Sequence, residues 1–269
     1  MQRKISILTS CYTLVLILLF ASGSVSGVWS EVVYYLSFLL PIGISLYLTR
    51  DEKIEKGKYL TIDSRGVIQF APLIFPTISL TILLSIITSY IIYNVSGQTN
   101  YVDVGDSYLL AIFTHALLPA VLEEALFRYL PIRLIAPHSP RCAIFVSAFF
   151  FSLAHADLFT IPYALVAGVL LMLIDLMTDS VVPSVVIHFI NNALSVSMIF
   201  MEATFAVFLL YTWIMVATIL SLIVLYNNRE DYEDVLVVAT FKGEGVKFTP
   251  GMILFAALTL AIAIMNFLL

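Results

Sequence analysis

Val121-Leu122-Glu123-Glu124-Ala125-Leu126-Phe127-Arg128 places three ionisable side chains inside an apolar run, Tyr108 to Ile135, that otherwise reads as a membrane-spanning helix. Even lenient insertion scales put the cost of each Asp, Lys or Arg at the centre of a span at roughly 2.5–3.5 kcal/mol. Residues retained at that cost face a bundle interior or a wet cavity, so a functional site is the first reading and a structural ion pair between helices the second. The spacing divides the roles. Glu124 and Arg128 are four apart, share a face and can pair within the helix. Glu123 is turned by about 100° from Glu124 and has Phe127, not a base, at its own i+4 position. One carboxylate is neutralised locally and the other is left over. A leftover carboxylate in a low-dielectric site suits a general base, which makes Glu123 the candidate for chemistry and Glu124 with Arg128 its support.

The rest of the chain supports a membrane setting. It is 61% hydrophobic and only 12% charged, with a mean hydropathy of +1.03, against about 25% charged residues in an ordinary soluble chain. A bilayer core admits only helices or closed barrels, and these apolar runs are too long for barrel strands, so the fold class is all-α, a polytopic bundle of transmembrane helices. Nothing resembles a nucleic-acid-binding patch. Cys11 and Cys142 fall in or beside different spans and form neither a disulfide framework nor a CxxC metal site.

Hydropathy places about nine apolar segments in a single integral membrane domain, residues 1–269, with the motif-bearing core over 108–226. Met1-Gln2-Arg3-Lys4, the run to Ala21 and the small residues Ser22 to Gly27 could pass for a signal peptide, but further spans follow at once, and an uncleaved first span is expected. Later spans run from Glu31 to Leu48, Gln69 to Tyr93, Tyr108 to Ile135, Arg141 to Ala156, Phe159 to Met177, Pro183 to Phe200, Thr204 to Tyr226 and Gly251 to Leu269; the fifth and sixth are short. With the N-terminus in the cytoplasm, the loop holding Arg50, Lys53, Lys56, Lys58 and Arg65 is cytoplasmic, and every far-side loop lacks Lys and Arg. The positive-inside rule then holds without exception.

Two later spans carry further misplaced polar groups, Phe151-Ser152-Leu153-Ala154-His155 and His188-Phe189-Ile190-Asn191-Asn192. In each the outer residues are four apart and share a helix face. Phe151 is placed to pack beside the His155 ring, and His188 and Asn192 to present hydrogen-bonding groups to one point. A lone histidine in an apolar helix is usually a packing residue; two of them with a Glu pair on three spans point to a shared site. The order Glu-Glu-x-x-x-Arg, Phe-x-x-x-His, His-x-x-x-Asn resembles the CAAX prenyl protease and bacteriocin-processing family, intramembrane endopeptidases that include the Ras-converting enzyme. The motifs cover residues 123–192; the spans before residue 100 and the last segment carry none.

The resemblance implies hydrolysis of a peptide bond by direct attack of water. Glu123 takes the water's proton, His155 orients the water, and His188 and Asn192 donate hydrogen bonds to the developing oxyanion. Loss of one oxyanion donor typically costs about 10²–10³ in rate. The implied partners are a peptide or lipidated protein substrate, with CAAX-type prenylated tails one possibility, and the lipid bilayer; oligomeric state is not readable. No cofactor is expected, although Glu123, His155 and His188 would form a three-ligand zinc set. The site is expected to open toward the cytoplasmic leaflet, because Glu123 stands above the Arg128 and Arg133 edge and His188 lies two turns into its span.

Other protease signatures fail. Gly23-Ser24-Val25-Ser26-Gly27 has the wrong spacing for a rhomboid serine, and Asp103-Val104-Gly105-Asp106 lacks the first Gly of an aspartyl motif. His115, two turns before Glu123, could approach the site but reads first as packing or capping; Asp175 and Asp179 read as solvated helix ends, Glu202 as interfacial, and Asn191 as a bond to a neighbouring helix. A proton-linked carrier is a different class that also buries Glu, His and Arg, but carriers show repeated halves and none is visible here. A non-proteolytic scaffold or immunity protein would be expected to lose a catalytic position, and none is missing.

Overall fold

The computed structural model describes residues 1–23, 28–52, 57–99, 104–201, 204–230, 232–233 and 248–268. Ser24 to Ser26, Lys53, Lys56, Asp103 and Glu202 lie outside them. The described residues form nine long helices and no strand: α1 (Gln2–Gly23), α2 (Val28–Leu48), α3 (Ser64–Ser96), α4 (Tyr108–Leu134), α5 (Pro140–Ala154), α6 (Ile161–Thr178), α7 (Val182–Phe200), α8 (Thr204–Asn227) and α9 (Pro250–Leu268). Seven are long and apolar enough to cross a membrane, and α2 and α5 are shorter apolar helices, as a polytopic membrane bundle requires. α8 buries almost none of its apolar surface: Phe208, Trp213 and Ile223 all point outward. Such a face is stable against lipid and costly against water.

One end of the bundle is tied together by polar contacts. Lys4 Nζ lies 2.9 Å from Glu52 Oε2 and 3.0 Å from His138 Nε2. Lys58 pairs with Asp179 at 3.6 Å, and the Val181 N–H donates to the Tyr59 carbonyl at 2.9 Å. The Tyr232 hydroxyl donates to the Gln69 carbonyl at 3.1 Å. The N-terminus and the connections α2–α3, α4–α5, α6–α7 and α8–α9 thus share one end, the end that the sequence reading gave to the basic residues.

α4 packs against α2, α5 and α7, and it is not a regular α-helix. Two turns are widened to π-helix, Ile112–Leu117 and Ala125–Tyr129. Each precedes a proline, Pro119 and Pro131. A proline ring clashes with the carbonyl four residues back and removes a donor, and widening the preceding turn relieves the clash. The second wide turn leaves the Leu126 carbonyl without the N–H that residue 131 would supply, and Tyr12 of α1 reaches it with its hydroxyl at 3.4 Å. The Tyr12 ring also packs on Phe127 and Phe150, joining α1 and α5 to the wide turn.

α5 and α6 pack closely because residue 168 is glycine: a Cβ there would stand 2.8 Å from the Ala148 Cα. α5 ends one residue before His155, and Ala156 then takes the left-handed conformation (φ 48°) that turns the chain toward α6. His155 is therefore the C-cap of α5 rather than part of its last turn. The third span also differs from its hydropathy boundaries, running the full length Ser64–Ser96 through a short 3₁₀ step at Ala71–Leu73.

Candidate active site

α4 presents Glu123 and Glu124, just before its second wide turn, and Arg128, within it, to α5, α6 and α7. Glu124 and Arg128 pair as their spacing predicts, Arg128 Nε to Glu124 Oε2 at 3.1 Å, and both are wholly buried. The guanidinium lies on the face of Phe151, 3.8 Å from the ring centroid. The ring edge-packs against both histidines, 5.0 Å from His155 and 5.8 Å from His188. Phe151 thus positions three charged or polar groups at once, where the sequence reading assigned it only His155.

His188 is held between the two glutamates. Its Nδ1 lies 2.7 Å from Glu124 Oε1 and its Nε2 lies 4.0 Å from Glu123 Oε2. A carboxylate can only accept, so Nδ1 carries the proton in that bond. His155 is fixed by the same logic: its Nδ1 lies 2.8 Å from the Phe151 carbonyl, so Nδ1 donates and the Nε2 lone pair is left for the cavity. Asn192 Oδ1 accepts from Asn191 Nδ2 at 3.4 Å, which leaves the Asn192 amide N–H groups as donors. Asn191 in turn accepts from Thr81 of α3 at 3.1 Å, the neighbour-helix bond expected of it.

Several buried atoms of this network make no hydrogen bond to the described residues, among them Arg128 Nη1 and Nη2 and Asp175 Oδ2, but of these residues only Glu123 lines a chamber. Its Oε2 is buried and has no hydrogen-bond partner among the described residues. It lines two chambers together with His155. The smaller, about 320 Å³, lies among α3, α4, α6 and α7 and also takes in Phe151, His188 and Asn192. The larger, about 560 Å³, lies between α4 and α1, α2 and α9, with Leu16, Tyr34, Phe38, Phe127 and Asn266 in its walls. All four candidate catalytic residues face the smaller chamber.

Two sequence expectations need correction. Asp175 is not a solvated helix end: it is wholly buried and accepts the Ser184 N–H of α7 at 3.1 Å. Its position beside a turn suggests solvent, but that turn is covered by the α2–α3 connection. Asp179 at the same turn is exposed, as expected. His115 is no packing residue; it lines the smaller chamber and is exposed. Glu124, Arg128, Asp175 and Ser184, next to the site, are all wholly buried, whereas His115, Ser195 and Ile199 are the exposed linings of the smaller chamber.

Thr160 and Tyr163, which also line the smaller chamber, were not singled out by sequence. Hydroxyls near a span's start carry no signal until the neighbouring helices are placed. As for metal ligation, no group of three or more His, Cys, Asp or Glu among the described residues stands close enough to hold an ion.

Searches of curated proteins and of solved structures returned no significant match to the chain. Residues 105–194, the segment that holds all three motifs, match the model of the type II CAAX prenyl endopeptidase family, Rce1-like, the family to which the motif order pointed.

Proposed function

We propose that this chain is an intramembrane endopeptidase that hydrolyses a peptide bond with water activated by Glu123 and His155. The observation that carries the reading is the Glu123 carboxylate on the wall shared by both chambers, its Oε2 without a hydrogen bond among the described residues, beside a histidine whose Nδ1 is committed to the Phe151 carbonyl. The family match supports membrane-protease chemistry for residues 105–194.

Water held between Glu123 and His155 Nε2 attacks the carbonyl carbon of the scissile bond, and its proton passes to Glu123. The oxyanion that forms accepts from the Asn192 amide, which has no other bond for its N–H groups to make among the described residues. Donation from His188 Nε2 requires the imidazolium, because Nδ1–H is already committed to Glu124. Glu123 then returns its proton to the amine nitrogen as the C–N bond breaks. Glu124 and Arg128 hold His188 and the wide turn, and no step is routed through a metal.

The family name makes a prenylated C-terminal tail one substrate to try. Detergent-purified protein is tested against peptides with and without a prenylated cysteine, beside Glu123→Gln and His155→Ala, each with and without chelator. The expected result is cleavage by wild type, loss in both variants and no effect of chelator. No cleavage of any peptide by folded wild type overturns the proposal, and chelator-sensitive cleavage overturns the metal-free mechanism.

A further inference from the structure

At the basic end of the bundle a groove of about 360 Å³ runs along the seam between α1 and α2. It shares no lining residue with either chamber. Arg3 lines its outer end, Ser6 and Ser10 line its length, and Leu14, Ile44 and Leu48 belong to its apolar walls. From Arg3 to Leu14 the helix rises about 16 Å, roughly the depth of one leaflet of a hydrocarbon core about 30 Å thick. A cation at the head, hydroxyls below it and an apolar trough beside them match an amphiphile lying along the two helices.

The charge at the head of the groove is not neutralised by the described residues. Just past the end of α2, Glu52 pairs with Lys4 at 2.9 Å and Asp51 stands 4.0 Å from Arg50. Arg3 makes no ion pair or hydrogen bond among the described residues. The hydroxyls of α1 divide in the same way. Thr9 and Thr13 donate to the carbonyls four residues back, each at 2.9 Å, the usual resort of a hydroxyl in an apolar helix. Ser6 and Ser10 donate to no described residue. A hydroxyl without an acceptor is costly against lipid tails, so these two call for acceptors from outside the chain.

From this ladder of one unpaired cation and two unpaired hydroxyls along an apolar trough, we propose that the α1–α2 groove binds an anionic glycerophospholipid. The phosphate lies on the Arg3 guanidinium, whose forked N–H donors match its oxygens. The ester carbonyls accept from Ser6 and Ser10, about one and two turns deeper, and an acyl chain follows Leu14 and Ile44. A headgroup with net negative charge is preferred to a zwitterionic one, because no acid lines the groove and a choline would bring a second cation toward Arg3. Basic pockets between transmembrane helices hold anionic headgroups by this physics. Neither helix carries a catalytic motif, and the site is independent of the reaction.

Bound lipid is counted by native mass spectrometry on the full chain, purified in a non-ionic detergent and titrated with phosphatidylglycerol or with phosphatidylcholine of the same acyl chains. Wild type is expected to retain phosphatidylglycerol the more tightly. Arg3→Gln should weaken that retention about fivefold, the worth of one basic side chain at an anionic surface. Arg50→Gln, at a residue that does not line the groove, should leave it unchanged. Ser6→Ala combined with Ser10→Ala should weaken both lipids alike, because both carry the ester oxygens. Phosphatidylglycerol should also raise the unfolding midpoint of wild type more than that of Arg3→Gln, since a ligand of the folded state stabilises it. Equal retention of the two lipids by wild type means boundary lipid only and overturns the proposal, as does an equal loss in Arg3→Gln and Arg50→Gln. No peptide is cleaved in these measurements, so their failure and that of the peptidase reading are separate results.

Discussion

Glu124 touches His188 through one carboxylate oxygen, Oε1 to Nδ1 at 2.7 Å, and Arg128 through the other, Oε2 to Nε at 3.1 Å. Its neighbour Glu123 makes neither contact at hydrogen-bonding distance and faces both chambers. Adjacent glutamates on one helix therefore have separate work: one joins helices and fixes an imidazole, the other meets solvent-accessible space.

The two conservative variants should fail differently. Glu124→Gln leaves the buried Arg128 without its anion, and breaking a buried pair typically costs about 3–5 kcal/mol; the thermal unfolding midpoint in detergent should fall sharply. Glu123→Gln should unfold near the wild-type temperature while losing about 10²–10⁴ in rate, the usual worth of a general base. Equal stability losses in the two variants would show that both glutamates are structural.

Asp175 supplies an acceptor to the first turn of α7, one turn before His188. Asp175→Ala removes the acceptor and leaves the buried Ser184 N–H unsatisfied, a loss of about 1–3 kcal/mol. Asp175→Asn keeps a carbonyl oxygen in the same place and should recover most of that stability. Unfolding curves for the pair decide it: identical losses mean that the cap contributes nothing.

At Gly168 two effects oppose each other. Replacing a mid-helix glycine by alanine gains about 1 kcal/mol of helix propensity. Here the new methyl would meet the Ala148 Cα at 2.8 Å, a backbone atom that cannot move aside alone, and overpacking typically costs about 1–3 kcal/mol. Gly168→Ala is expected to lower the unfolding midpoint. A raised midpoint would show that α5 and α6 separate freely.

Much of this protein was legible because membrane solvent makes local sequence decisive. A bilayer core satisfies no backbone group, so apolar runs of sufficient length become helices whatever packs beside them; the nine segments and the sharing of one end by the basic loops follow from hydropathy and charge. The i,i+4 pairing of Glu124 with Arg128 was equally local, and survives a π turn between them. Even the wide turns had a sequence signal, Pro119 and Pro131 inside the span, since a proline disturbs its own helix. Helix-to-helix placement was not legible. Asp175 looked solvated because its helix ends three residues later, and only the Tyr59 loop lying over that end and Ser184 beside it show why it is buried. His188 looked free to face a substrate until Glu124 took its Nδ1. The two chambers were invisible for the same reason: sequence orders side chains along each helix, whereas a cavity depends on how far the helices around it part, which is set by side-chain packing between segments distant in the chain.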